Sequence, residues 1–175
     1  MGANIGIFTL LASLLVKDYG TVLAIEPYPP NIQCLQLMCE FNQLSNVHIV
    51  PVAVGSKNGK AKLHIDPQLG GHSVNIERSK KSIMVKVNTL DYIVKKFALP
   101  KVDFIKMDIE GAEADALIGA KETIQEYAPY IAMSAYHLPD DQRKLSQILK
   151  SLQPNYNTQF YHFAPDLELT LHAYV

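Results

Sequence analysis

The run Val102-Asp103-Phe104-Ile105-Lys106-Met107-Asp108-Ile109-Glu110-Gly111-Ala112-Glu113 decides how this 175-residue chain is read. Its first part has the β-branched and aromatic character of a strand, predicted over 102–108. Alternation along it puts Val102, Phe104, Lys106 and Asp108 on one side. Asp108 falls at the carboxyl end, the rim where open α/β sheets bind their ligands. Glu110 and Glu113 crowd the start of a helix predicted over 113–127, where the helix dipole favours negative charge.

The same alternation extends in both directions. Upstream, the pattern predicts a helix over 7–18, a buried strand over 21–26 ending in Glu26, and a helix opened by Pro29 and Pro30. Proline suits a first helical turn because its missing N–H would be unpaired there. A β-branched run at 46–54 follows, then two solvent-facing strands, 60–66 and 82–88, around the loop Gln68–Ser73. Thr89 caps a helix whose stripe is Leu90, Ile93, Val94 and Phe97. Downstream, a strand over 130–136 leads to a helix carrying Leu145, Ile148, Leu149 and Leu152. The tail runs 156–163 and 168–175 are joined by Ala164-Pro165-Asp166, a link so short that they must pair antiparallel. Strands separated by helices predict one α/β domain over residues 1–175, a mostly parallel sheet covered on both faces.

Composition narrows the function classes. Sixteen basic and seventeen acidic side chains give a net charge of -1, so no overall field draws the chain to nucleic acid or an anionic membrane. With 48% apolar and 19% charged residues, the chain is not disordered. Cys34 and Cys39 fit neither a CxxC pair nor a zinc cluster, and a reducing, cytoplasmic setting is expected. The apolar stretch Ile5–Val16 is shorter than the ~20 residues of a membrane span. No Lys or Arg precedes it, so it reads as a buried helix rather than a signal peptide.

Gly2-Ala3-Asn4-Ile5-Gly6 stands directly before the first helix. Glycines there allow close backbone approach to a ligand, and the helix start offers free N–H groups; alone, the pattern also serves as a tight turn. Glu26 strengthens the ligand reading, because an acid at the end of the next strand accepts hydrogen bonds from both ribose hydroxyls of a nucleoside. His137, just after the 130–136 strand, is a candidate base, with a loop histidine before Pro139 as the alternative. His72 either lines an acceptor pocket or is a plain turn residue. His48, His64, His162 and His172 lie within strand-like runs and read as structural. Asp108 and Glu110 would need a third ligand to hold a metal; the spacing offers none, and no metal is expected. Arg78, Lys80 and Lys81 read as a solvated hairpin rather than a phosphate site.

GANIGIFTL (2–10), AIEPYPPN (24–31), VPVAVGS (50–56), VDFIKMDIEGAEADALIGA (102–120) and SAYH (134–137) together resemble the FkbM-type family of S-adenosylmethionine-dependent methyltransferases, over essentially the whole chain. The resemblance implies a Rossmann-like class I methyltransferase fold with helices on both faces and an antiparallel last strand. It implies S-adenosylmethionine as cofactor, and methylation of a hydroxyl on a small molecule, sugar or glycolipid. Carried over by position, Gly2, Asn4 and Gly6 form the cofactor loop, Glu26 holds the ribose, and Asp108 sits by the reacting methyl. Asp108 then serves as base or orients the methionine end of the cofactor, with His137 as the other base, and Glu110 and His72 face the acceptor. Family sequences carry a strand ending in an acid two residues before the first glycine. Only Met1 precedes Gly2 here, so the first central strand is expected to be missing and the domain N-terminally truncated, with a gap between the strands ending at Glu26 and Asp108. Two competing readings remain: an inactive remnant or binding module, and a dinucleotide-dependent oxidoreductase. The absent G-x-G-x-x-G spacing weighs against the oxidoreductase.

Overall fold

The computed structural model describes residues 1–66, 71–77, 80–162 and 169–175. The expectations placed on Gln68–Gly70, Arg78 and the Ala164–Asp166 link lie outside the described residues. Strand β1 (Val22–Ile25) pairs in parallel with β2 (Val47–Val50). The short β3 (Ala53–Val54), β4 (Gly59–His64) and β5 (Ser82–Asn88) form a sheet ordered β3-β5-β4. A further sheet is ordered β6-β7-β9-β8, from β6 (Phe104–Met107), β7 (Tyr130–Ser134), β8 (Asn157–His162) and β9 (Leu169–Tyr174). β6 and β7 are parallel, and the C-terminal pair is antiparallel, as its short link requires.

The helices are α1 (Ile7–Val16), α2 (Pro29–Phe41), α3 (Leu90–Lys96), α4 (Glu113–Ile118), α5 (Lys121–Tyr127) and α6 (Asp141–Leu152). Ile25, Val50, Ile105, Met107, Ile131 and Met133 pack with Leu117, Ile124, Leu145 and Leu149 in one core. The Thr89 hydroxyl caps α3 by accepting from the Tyr92 N–H at 3.1 Å. Tyr156 is fully buried at the end of this core, and its hydroxyl donates to the Pro129 carbonyl at 2.6 Å. Burial pushes the Tyr156 phenol up to about 12. Tyr156→Phe should therefore cost about 1–2 kcal/mol in a urea titration, because it orphans a buried carbonyl; an unchanged midpoint would show that the bond contributes nothing.

Three expectations need correction. The 113–127 helix is two helices, broken at Gly119 and Ala120. A Cβ at Gly119 would lie 2.1 Å from the Gly55 carbonyl oxygen, so the backbones touch there, and α5 restarts with Asp91 accepting from the Glu122 and Thr123 N–H groups. The strands at 59–64 and 82–88 are not solvent-facing on both sides, because Leu63, Val85 and Val87 bury one face against Ala53. Finally, α1 is helical but not buried. It buries Thr9 and Ser13, while Ile7 is 76% and Leu15 71% exposed.

Strands β1 and β6 do not pair. Met1–Ala3 bridges them by backbone hydrogen bonds. The Met1 amine donates to the Lys106 carbonyl at 2.7 Å, and the Asp108 N–H donates to the Met1 carbonyl. The Gly2 and Ala3 N–H groups donate to the Ile25 carbonyl at 3.0 Å. Beneath this bridge is a cavity of about 240 Å³, walled by Val22, Ala24, Phe104 and Lys106 with Phe8 and Ala12 of α1. Phe8, Ala12 and Val16 of α1 border this slot, whereas the more exposed Leu11, Leu14 and Leu15 do not. The expected gap is therefore present, with one residue-length of pairing at its top.

Candidate active site

The carboxyl ends of β1 and β6 open into a second cavity of about 360 Å³. Gly2, Asn4, Gly6, Glu26, His72, Asp108 and Glu110 all line it, so seven of the expected site residues share one wall system. Two glycines make the loop possible. Gly2 (φ +73°) runs so close to β6 that a Cβ would lie 1.9 Å from the Asp108 carbonyl oxygen. Gly6 (φ +103°) precedes α1, and a Cβ there would meet the Met38 and Leu35 side chains at 2.6 and 2.8 Å. Gly6→Ala, strained in φ as well, should lower the melting temperature by several degrees; an unshifted transition would mean that the loop adapts freely.

Glu26 is 5% exposed and holds the loop from below. Its Oε2 accepts from the Asn4 N–H at 2.9 Å and its Oε1 from the Tyr28 N–H at 3.0 Å. Oε1 also accepts from the Asn31 amide at 3.4 Å, which leaves the second lone pair of Oε2 for a ligand. His72 closes the opposite wall, its ring centroid 4.0 Å from that of Tyr28 and its Nδ1 accepting from the Asp66 N–H at 3.2 Å. Burial lowers its pKa more than the charges of Glu26, Asp66 and Glu110 raise it.

The turn after β6 is organised by Glu113, a residue read from sequence only as a helix-start acid. Glu113 is 1% exposed, and its carboxylate accepts from the Ile109 and Gly111 N–H groups at 2.9 Å each. It thus shapes the turn that presents Asp108 and Glu110. Glu113 Oε1 also lies 3.0 Å from His137 Nδ1. Ser73 and Asn75 latch the turn from outside: the Ser73 hydroxyl donates to the Glu110 carbonyl at 2.6 Å and the Asn75 amide to the Gly111 carbonyl at 3.1 Å. Nothing in their local sequence marks them, since their partners are 36 or more residues away.

His137 stands in the loop after β7, partly exposed as a residue but not in its side chain. Its side chain is 2% exposed and lies behind Asp108 and Glu110, with Nε2 at 3.6 Å from Asp108 Oδ1 and 3.4 Å from Glu110 Oε2. It does not itself line the cavity. Burial is the largest influence on its pKa and pushes it down, but the Glu113 bond and the charges of Glu113, Glu110 and Asp108 outweigh it, and the net value is raised. Lys106 Nζ, 3.3 Å from Asp108 Oδ2, flanks the other side of that carboxylate. The third donor beside Asp108 and Glu110, invisible in the spacing, is thus supplied by the fold: ligand-type atoms of Asp108, Glu110 and His137 all lie within 4.8 Å of one another.

A family profile described as the methyltransferase FkbM domain matches residues 1–167. The chain belongs to the FkbM methyltransferase family. Among proteins similar to this FkbM-family chain, Methyltransferase 1 of Beauveria bassiana is 27% identical over 139 residues, covering 67% of this chain and 55% of that protein. Hexuronic acid methyltransferase AglP of Haloferax volcanii is 26% identical over 129 residues, covering 71% and 50%. The crystal structure of the FkbM methyltransferase from Methylobacillus flagellatus KT superimposes with a TM-score of 0.76 at 29% identity, over 99% of this chain and 42% of that one. Precorrin-6y C5,15-methyltransferase of Geobacter metallireducens shares the fold, with a TM-score of 0.59 at 14% identity. The architecture is therefore that of class I methyltransferases, as the resemblance implied. This FkbM domain spans about half the length of the curated relatives it matches. No helix among its described residues is long and apolar enough to cross a membrane.

Proposed function

We propose that the domain is an S-adenosylmethionine-dependent methyltransferase acting on a hydroxyl oxygen of a sugar, glycolipid or other small molecule. The observation that carries this reading is the cavity in which the Gly2–Gly6 loop, the Glu26 carboxylate and Asp108 converge at the carboxyl ends of β1 and β6. Its volume of about 360 Å³ lies within the range of small-molecule sites. The hexuronic acid methyltransferase among the relatives supports a sugar acid as acceptor. The free cysteines support a reducing, cytoplasmic setting. The slot between β1 and β6 supports the expectation that a strand ahead of Met1 belongs to the complete fold.

When bound, the cofactor supplies an electrophilic methyl on a sulfonium, which becomes a neutral thioether as the C–S bond breaks and a C–O bond forms. The chain's own residues do the rest. The loop amides and Glu26 hold the nucleoside, with Glu26 accepting from the ribose hydroxyls. Asp108, 36% exposed at the cavity floor, orients the acceptor hydroxyl and takes its proton. His137 stands behind Asp108, its ring fixed by Glu113. Glu110 and His72 face the acceptor side. In-line displacement depends on positioning and on exclusion of water.

Calorimetry with S-adenosylhomocysteine and NAD tests the cofactor: the first should bind and the second should not. Transfer of labelled methyl to uronic-acid glycosides tests the acceptor. NAD binding without S-adenosylhomocysteine binding would replace this reading with an oxidoreductase. Glu26→Gln keeps the shape of the side chain but one oxygen becomes a donor. It should weaken S-adenosylhomocysteine binding at least tenfold, since one charge-assisted bond is worth roughly 1.5–3 kcal/mol. Unchanged affinity would remove Glu26 from the site.

A further inference from the structure

Asp108 and Glu110, in the turn after β6, line the 360 Å³ cavity, and His137, in the loop after β7, lies behind them with its ligand-type atom within 4.8 Å of theirs. His137 Nε2 and Asp108 Oδ1 are both buried, and neither has a hydrogen-bond partner among the described residues. Buried polar atoms are nearly always paired. Two that face each other beside a second carboxylate call for a positive group between them. Resting on the methyltransferase reading above, we propose that Asp108 Oδ1, Glu110 Oε2 and His137 Nε2 are ligands of a divalent cation that holds the acceptor hydroxyl oxygen.

The surroundings of the ring fit this role. Metal-bound histidines characteristically engage an outer carboxylate through the other ring nitrogen, and His137 Nδ1 lies 3.0 Å from Glu113 Oε1. Glu113 is itself pinned by two backbone N–H groups, so the ring cannot swing away. Neighbouring donors on one octahedral ion stand about 3 Å apart, so contacts of 3.4 and 3.6 Å need close only slightly. Two carboxylates and one imidazole, without a thiolate, suit Mg²⁺ or Mn²⁺. Because Asp108 and Glu110 line the cavity, the remaining coordination positions face the acceptor, whose hydroxyl the ion would acidify.

Mn²⁺ titrated into the 175-residue chain, followed by electron paramagnetic resonance and calorimetry without cofactor, should reveal one saturable site. Glu110→Gln, at the edge of the cluster, and His137→Gln should each weaken it about tenfold or more. Asp115→Asn, on the adjacent α4, should leave it unchanged, and circular dichroism should report a native fold in all three variants. No saturable binding in the parent chain, or equal affinity in parent, Glu110→Gln and His137→Gln, overturns the proposal in favour of a protonated His137 paired with its carboxylates. S-adenosylhomocysteine binding on the same samples separates the two ideas. Cofactor binding without Mn²⁺ binding removes the ion alone. Mn²⁺ binding without cofactor binding leaves the metal site and removes its role in methyl transfer.

Discussion

An apolar strand of about five residues supplied ahead of Met1 should raise the stability of the domain by roughly 5 kcal/mol or more. Each residue entering the slot between β1 and β6 gains bonds to both edges, worth about 1 kcal/mol each net. A buried side chain adds about 1.5–3 kcal/mol, against roughly 1–2 kcal/mol for ordering its backbone. The slot already has the right geometry at its top, where Met1 and Gly2 bond to Lys106, Asp108 and Ile25. Burial there also pushes the Met1 amine down to about 5, with the Lys106 charge acting in the same direction. An amide at that position would carry no such burden. For a domain of this size the gain corresponds to about 10–20 °C in melting temperature. A Gly/Ser extension of equal length is the control. Equal melting temperatures for the two extensions would show that the slot does not accept a strand.

Replacing Asp108 by Asn is the other large effect. The substitution keeps the shape of the side chain and leaves the backbone bond to Met1 intact. It removes the carboxylate that faces both the cavity and His137. Loss of a positioned base typically costs 10²–10⁴-fold, so turnover should fall by about a hundredfold or more. If Asp108 acts on the acceptor, S-adenosylhomocysteine affinity should stay within about threefold, the pattern of an interaction made mainly in the transition state. A parallel fall in cofactor affinity and turnover would instead assign Asp108 to the methionine end of the cofactor. Near-normal turnover would remove it from the chemistry altogether.

The sequence alone determined the alternation of elements, because periodicity and helix capping act over a few residues. It also determined which residues stand at strand ends: Glu26 after β1, Asp108 after β6 and His137 after β7 each follow from where an apolar run stops. Long-range contact decided the rest. The break at Gly119 comes from backbone approach to Gly55, 64 positions earlier in the chain, which no local propensity reveals. Which face of α1 is covered depends on long-range packing that buries only Thr9 and Ser13, so its apolar composition could not report it. Glu113 read equally well as a plain helix-start acid, which it is. Only folding brings it to His137 and brings His137 to Asp108 and Glu110, because a side-chain cluster built across two strand ends has no spacing in the chain that encodes it.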